Sequence, residues 1–151
     1  MRVAVGCDHN GLELKNLICQ FLKDKGVEYK DFGTRDKEPV DYPDIAKVVA
    51  QAIAREEFDR GILICGTGLG MAIAANKVRG IRAATCHDVY SAERARKSNN
   101  AQIMTLGAQI IGPELAKLLV DAWLRSEFQG GRSAPKVKKI MQIEEENFSR
   151  R

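Results

Sequence analysis

The amino-acid sequence predicts an α/β fold: a three-layer, Rossmann-like domain with a parallel sheet of about five strands, helices on both faces and one further C-terminal helix. Three observations predict it. Short β-branched runs alternate with amphipathic helical patterns along the whole chain. The run Gly61-Ile62-Leu63-Ile64-Cys65 is apolar on both faces, as a central parallel strand must be. A glycine-rich turn, Gly66-Thr67-Gly68-Leu69-Gly70, follows that run directly. No internal repeat or linker-like stretch intervenes, so the 151 residues read as a single domain, 1–151.

The elements follow in order. Arg2 to Gly6 is a short strand ended by turn formers. Leu14, Leu17, Ile18, Phe21 and Leu22 recur at helical spacing, and Gly26 closes that helix. Val27 to Phe32 reads as the second strand, and Gly33 to Pro43 as a polar loop carrying two prolines. Ile45, Val48, Val49, Ala52 and Ile53 mark the next helix. After the central strand and its glycine turn, a small-residue helix is expected from Met71 to about Lys77. Ile81 to Cys86 is the fourth strand, Tyr90 to about Lys97 a helix, and Ile103 to Leu106 the fifth strand, closed by Gly107. Leu115, Leu118, Leu119, Ala122 and Trp123 define a helix with Pro113 near its first turn. The last helix spans about Pro135 to Phe148; it lies outside the repeating pattern and packs either on its own sheet or on a second subunit.

Composition excludes several classes. A chain that is 44% hydrophobic and 29% charged is not a disordered or collagen-like segment. No apolar stretch approaches the roughly 20 residues of a membrane span, so no membrane partner is expected. The opening residues reach Asp8 too early for a signal-peptide core, which makes a cytoplasmic location the expectation. The net charge of +4 is scattered apart from a group around Arg132, Lys136, Lys138 and Lys139, and only 6% of residues are aromatic. That suits a small anion better than a nucleic acid. The four cysteines, at 7, 19, 65 and 86, form no Cys-x-x-Cys pair, so no metal site is expected.

In a parallel sheet, ligands bind beyond the carboxyl ends of the strands. There the glycines of Cys65-Gly66-Thr67-Gly68-Leu69-Gly70 let backbone N–H groups approach an anion or a developing oxyanion. Three readings of that turn compete. A Walker loop would need Gly-Lys-Ser/Thr, and the nearest downstream lysine is Lys77. A dinucleotide fingerprint would need glycine where Met71 stands, although Asp88 is suitably spaced for a ribose contact. The third is a site for a small sugar or acid in which Cys65 itself reacts, as base or nucleophile, with Thr67 relaying a proton. Cys65 is otherwise a buried strand-end thiol, and Thr67 a turn residue. Asp8-His9 ends the first strand as either a general acid oriented by its neighbour or a surface turn. His87-Asp88 ends the fourth strand similarly. Ser98-Asn99-Asn100 is a polar cluster or a helix terminator. Gly130-Gly131-Arg132 with Lys136 is a phosphate clamp or a solvated basic turn.

Together these residues resemble the type-B ribose-5-phosphate isomerase family, which includes the galactose-6-phosphate isomerase subunits. The marks are Cys7-Asp8-His9, Asp41-Tyr42-Pro43, Ile64 through Gly70 to Ala74-Ala75-Asn76-Lys77, Gly80-Ile81-Arg82-Ala83 and Ser98-Asn99-Asn100. The resemblance covers essentially the whole chain. It implies an aldose–ketose isomerase working through a cis-enediolate, without metal or organic cofactor. Cys65 then matches the base, and the N–H groups of Gly66, Thr67, Gly68, Leu69 and Gly70 match the enediolate cradle, with Thr67 aiding proton transfer. Asp8 and His9 match substrate-binding positions and Tyr42 the pocket lining; His87 is read beside them as a further substrate-binding residue. Arg132 and Lys136 match the phosphate clamp, Lys136 standing for a usual arginine. Asn99 matches a contact donated across a dimer interface, so a homodimer or dimer of dimers is implied, with a sugar phosphate as the small-molecule partner. Three departures matter: Ser98 stands where a ring-opening histidine is usual, Gln109 where a phosphate-binding arginine is common, and Ser133 where histidine is frequent. Ring opening would then fall to His9, His87 or solvent. Otherwise the substrate is a tetrose 4-phosphate, which forms no such ring, as in the branch of the family linked to four-carbon sugar phosphates.

Overall fold

The structure is a computed structural model that describes residues 1–148. Its strands are β1 (Arg2–Cys7), β2 (Glu28–Asp31), β3 (Arg60–Cys65), β4 (Ala83–Thr85) and β5 (Ile103–Gly107). Its helices are α1 (Leu12–Asp24), α2 (Tyr42–Ala54), α3 (Leu69–Ala75), α4 (Val89–Lys97), α5 (Pro113–Arg125) and α6 (Ala134–Phe148). Short 3₁₀ turns, which periodicity does not reveal, occupy His9–Gly11 and Gly131–Ser133. All strand pairs are parallel, in the order β2-β1-β3-β5-β4. β3 lies at the centre, and each of its six residues is buried.

Each face of the sheet carries its own core. Val3, Val5, Ile62, Ile64, Met104 and Leu106 pack against α1, α4 and α5 through Ile18, Leu22, Ala92, Leu119 and Trp123. Ala4, Leu63, Cys65 and Ile103 pack against α2 and α3 through Val49, Ile53, Met71 and Ala75. This is the period-two alternation of a strand read out as two hydrophobic layers. The expected three-layer architecture is therefore the observed one.

The boundaries move for local reasons. The fourth strand shortens from the expected Ile81–Cys86 because side chains intercept its first amides: Gln102 Oε1 accepts from Arg82 N at 2.8 Å, and Asn76 Oδ1 from Ala83 N at 2.7 Å. The second strand shrinks to Glu28–Asp31 at the opposite edge, paired only with β1. The helix after the glycine turn starts at Leu69, ahead of Met71, because Gly68 O already accepts from Ala72 N. Pro43 sits in the first turn of α2, where its missing N–H costs nothing, so Tyr42 belongs to a helix rather than to the preceding loop. α6 packs on its own chain: Gly80 N donates to Glu144, Arg79 pairs with Glu145, and an Arg82 guanidinium nitrogen lies 3.0 Å from Met141 Sδ. Among the described residues no helix is long and apolar enough to cross a membrane.

Arg60, only 3% exposed, ties the start of β3 to the end of α5. Its guanidinium donates to Trp123 O at 2.7 Å, Leu124 O at 2.9 Å and Ser126 O at 2.8 Å, and meets Glu127 at 2.5 Å. These are carbonyls that a helix end leaves without intrahelical partners. Arg60→Met would keep the bulk and remove this donor from all three carbonyls, of which Trp123 O retains Ser126 N. Urea denaturation should show a loss of about 3 kcal/mol.

Candidate active site

Chain reversal between β1 and β3 opens the crevice. The connection after β1 leads to α1 on one face, and that after β3 leads to α3 on the other, so the two loops diverge and leave a gap at the carboxyl ends. The loop after β1 touches β3 directly, with Asp8 N donating to Ile64 O at 3.2 Å.

Cys65 ends β3, and its Sγ accepts a hydrogen bond from Gly68 N at 3.1 Å. That contact needs an unusual backbone. Gly68 has φ +77°, and a Cβ there would lie 2.9 Å from the Leu106 carbonyl carbon. Only glycine meets both demands. Thr67 is exposed, and its Oγ1 accepts from Leu69 N at 3.3 Å, which leaves its O–H free to donate elsewhere. Gly66 and Gly70 are close-packed for a different reason: a Cβ on Gly66 would approach Gln109 Oε1 to 3.1 Å, and one on Gly70 would strike the Tyr42 ring at 2.6 Å. Gln109 and Tyr42 thus flank the turn on either side.

Asp8, 4% exposed, caps the 3₁₀ turn through Oδ1, which accepts from Asn10 N at 3.0 Å and Gly11 N at 3.1 Å. His9 is oriented by another group: Val40 N donates to His9 Nδ1 at 3.2 Å, which assigns the ring proton to Nε2. The Val40 loop is itself held by buried Lys15, whose Nζ meets Asp31 Oδ2 at 2.5 Å and Thr34 O at 2.9 Å. A cavity of about 720 Å³ opens beside His9, lined also by Asn10, Glu13, Lys37, Ala108 and Ile111. A second, of about 640 Å³, opens beside Tyr42, Gly70, Ile73 and Lys77. Cys65 lines neither of these. His87 Nε2 accepts from Gly107 N at 3.0 Å, so His87 secures the end of β5. Asp88 caps α4 by accepting from Ser91 N at 2.7 Å and Ser91 Oγ at 2.6 Å. Those bonds hold its carboxyl below the usual range and commit it to the helix end, away from a ribose contact.

The remaining thiols differ from Cys65 in their surroundings. Burial pushes Cys7 up to about 11 and both Cys19 and Cys86 up to about 12, so all three stay protonated near neutrality.

The sequence-predicted residues fall into two groups. Asp8, His9, Tyr42, Cys65 to Gly70, His87 and Gln109 share the carboxyl end of the sheet. Ser98 and Asn99 follow the last turn of α4, which runs back from the carboxyl end to the amino end. Ser98 Oγ accepts from Arg94 Nε at 2.9 Å and from its terminal nitrogen at 2.6 Å. Gln129 N donates to Lys97 O at 3.1 Å, which brings the segment leading to Arg132 and Lys136 to that same amino end. A six-residue strand separates the groups by roughly 20 Å. Sequence reasoning missed Thr85 and Thr105, whose hydroxyls lie 2.8 Å apart under the glycine turn. A hydroxyl inside the apolar run Ile103-Met104-Thr105-Leu106 was the available signal.

The Ribose/Galactose Isomerase family matches residues 3–140. The chain is 56% identical to "Ribose-5-P isomerase B" of Listeria innocua, over 97% of this chain and 99% of that one. It is 55% identical to "D-erythrulose-4-phosphate isomerase" of Pectobacterium atrosepticum, over 93% of each. Among solved structures, ribose-5-phosphate isomerase B of Clostridium thermocellum superposes with a TM-score of 0.96 at 52% identity, covering 97% of this chain and 99% of that one. The chain belongs to the ribose/galactose isomerase family, and its class is that of a sugar-phosphate isomerase.

Gly68→Ala tests the turn. A side chain at φ +77° against the Leu106 backbone should cost about 2 kcal/mol or more. Isomerase activity should fall further than the urea midpoint alone accounts for.

Proposed function

We propose that the whole chain, 1–151, acts as one cytoplasmic aldose–ketose isomerase domain with Cys65 as the base, and that ribose 5-phosphate and ribulose 5-phosphate are its substrate pair. The observation that carries this reading is the 3.1 Å hydrogen bond from Gly68 N to Cys65 Sγ, which fixes the sulfur against the glycine turn at the end of the central strand. The thiolate takes the proton from C2 of the open-chain aldose. The C–H electron pair forms the C1–C2 double bond, and charge passes to O1. Backbone N–H groups of the turn hold that oxyanion. Gly68 N is engaged with the sulfur and Leu69 N with Thr67 Oγ1, so Gly66, Thr67 and Gly70 supply the amides of the cradle. Thr67 relays the O2 proton to O1, and the Cys65 thiol returns its proton to C1. Atoms and charge balance with no other reactant.

The opposed placement of the two residue groups supports a shared site. In one protomer, Arg132 and Lys136 are a strand length from Cys65, too far to grip the phosphate of the same small sugar. A second copy would bring its Ser98, Asn99, Arg132 and Lys136 to the Cys65 end, and twofold symmetry would build two equal sites. Gln109, beside Gly66, then contacts substrate from the Cys65 side, and Asp8 and Tyr42 shape the pocket wall.

A second reading has its own support. Ser98 accepts two hydrogen bonds from Arg94 and is a poor general acid, which fits a tetrose phosphate that never closes a furanose ring. Here erythrose 4-phosphate and erythrulose 4-phosphate are the pair. If ribose 5-phosphate is used, His9, which lines a cavity and carries its ring proton on Nε2, is the donor to the ring oxygen.

Coupled assays with ribose 5-phosphate and erythrose 4-phosphate decide the substrate by relative kcat/KM. Cys65→Ala should lower the rate on the preferred substrate by ~10²–10⁴-fold; an unchanged rate removes Cys65 from the mechanism. The shared site is tested by co-expressing Cys65→Ala with Arg132→Ala chains. Each should be nearly inactive alone, whereas the mixture should recover roughly a quarter of wild-type activity, from one intact site per mixed dimer. No recovery would place both residues in the same protomer's site.

A further inference from the structure

We propose that Thr105, supported by Thr85, is a positioning residue that sets the alignment of Gly68 with the Cys65 sulfur; the inference rests on the reading of Cys65 as the base. Thr105 lies in the middle of β5 and is 0% exposed, in a strand whose other buried side chains are apolar. A hydroxyl buried there is unfavourable without a partner. Its partner is distant in sequence: Thr105 Oγ1 donates to Gly68 O at 2.8 Å. The direction is forced, because a carbonyl oxygen carries no proton. Thr105 Oγ1 is left as an acceptor, and Thr85 Oγ1 lies 2.8 Å from it and 3.4 Å from Gly68 O. Strand register places the two threonines opposite one another. The hydroxyls therefore form a short chain ending on a single carbonyl.

That carbonyl belongs to the residue whose N–H points at the sulfur. Gly68 is gripped at both ends: its O by Thr105 and by Ala72 N at 3.1 Å, its N–H by Cys65 Sγ at 3.1 Å. Gly68 O shares a peptide plane with Leu69 N, which donates to Thr67 Oγ1 at 3.3 Å. Holding the plane by its oxygen therefore also sets the hydroxyl of Thr67. Without the Thr105 hydroxyl, Gly68 O keeps Ala72 N and only the longer Thr85 contact, so the Gly68–Leu69 peptide can tilt: Leu69 N loses its aim on Thr67, and the tilt passes through the Gly68 Cα to the preceding peptide, whose N–H meets the sulfur. Glycine has no side chain to resist that tilt. A hydroxyl that merely satisfied a buried carbonyl would affect stability and leave turnover per folded molecule unchanged.

The experiment compares Thr105→Val, Thr105→Ser and Cys65→Ala, assayed on whichever of ribose 5-phosphate and erythrose 4-phosphate the wild-type chain turns over faster, with Tm recorded for each. Thr105→Val should lower kcat by about 10- to 100-fold while KM stays within about twofold, the pattern of a misaligned reacting group. Thr105→Ser restores the hydroxyl and should return kcat to near the wild-type value. Wild-type kcat in Thr105→Val, or equal impairment of the valine and serine variants, overturns the inference. An active Cys65→Ala overturns the underlying reading instead, so the two failures are distinct. Should Thr105→Val not fold, Thr85→Val takes its place: it removes the donor to Thr105 from a partly exposed position and should give a smaller, KM-neutral loss of kcat. An unchanged kcat there overturns the inference as well.

Discussion

One residue's backbone sets the geometry at the end of the central strand. Gly68 adopts φ +77° with the Leu106 backbone too close for a side chain, and in that pose its N–H meets the Cys65 sulfur. Neither the strand nor the short helix that follows would aim an amide there alone. The turn can hold the pose because β5 packs under it: Leu106 blocks the space, Thr105 holds the carbonyl, and Gly107 comes so near the Thr67 carbonyl that a Cβ would lie 2.7 Å away. Adjacent strands of a twisted parallel sheet end at slightly different heights, and that stagger lets one strand's end act as the floor of the next strand's loop. Stability and site geometry thus share the same contacts.

The four cysteines show how far surroundings outweigh residue type. All four are buried. Cys7, Cys19 and Cys86 sit where burial is the dominant influence and the neutral thiol is favoured, with Lys15 only partly offsetting it for Cys7 and Cys19. They behave as small apolar side chains filling the sheet–helix interface. Cys65 is the one at the end of the central strand, where a backbone N–H is within hydrogen-bond reach. A similar distinction separates the two histidines. His9 takes an amide on Nδ1 and lines a cavity, whereas His87 takes an amide on Nε2 and braces β5.

Polarity along the sheet explains why the chain carries two sets of polar residues. A helix that returns antiparallel to its strands delivers whatever follows it to the far end, so the cluster after α4 and the basic turn before α6 are both directed away from Cys65. Buried arginines stiffen that far end. Arg60 holds the last carbonyls of α5, and Arg96 donates to Ala101 O at 2.7 Å beside the Ser98–Asn100 turn. Arg96 is held down to about 10 by desolvation, with Arg60 and Arg82 adding like charge; Glu127, paired with Arg60 and within 3.8 Å of Arg96, compensates.

Amino-acid order alone determined the architecture and the identity of the central turn. Two-residue and 3.6-residue periodicities are local properties, and three glycines after a doubly apolar strand mark where the backbone must bend sharply. The start of β4 moved because Asn76 and Gln102 intercept amides across a loop, an interaction with no signature inside the strand itself. The partners of His9 and Gly68 were equally hidden: Val40 is 31 residues from His9, and Thr105 is 37 from Gly68. A threonine in a strand looks the same in sequence whether its hydroxyl holds a neighbouring carbonyl or nothing. Only folding, by stacking β5 beneath the turn and by sending α4 to the opposite end of the sheet, decided which polar groups could meet, because hydrogen bonds act over about 3 Å and sequence spacing does not measure that distance.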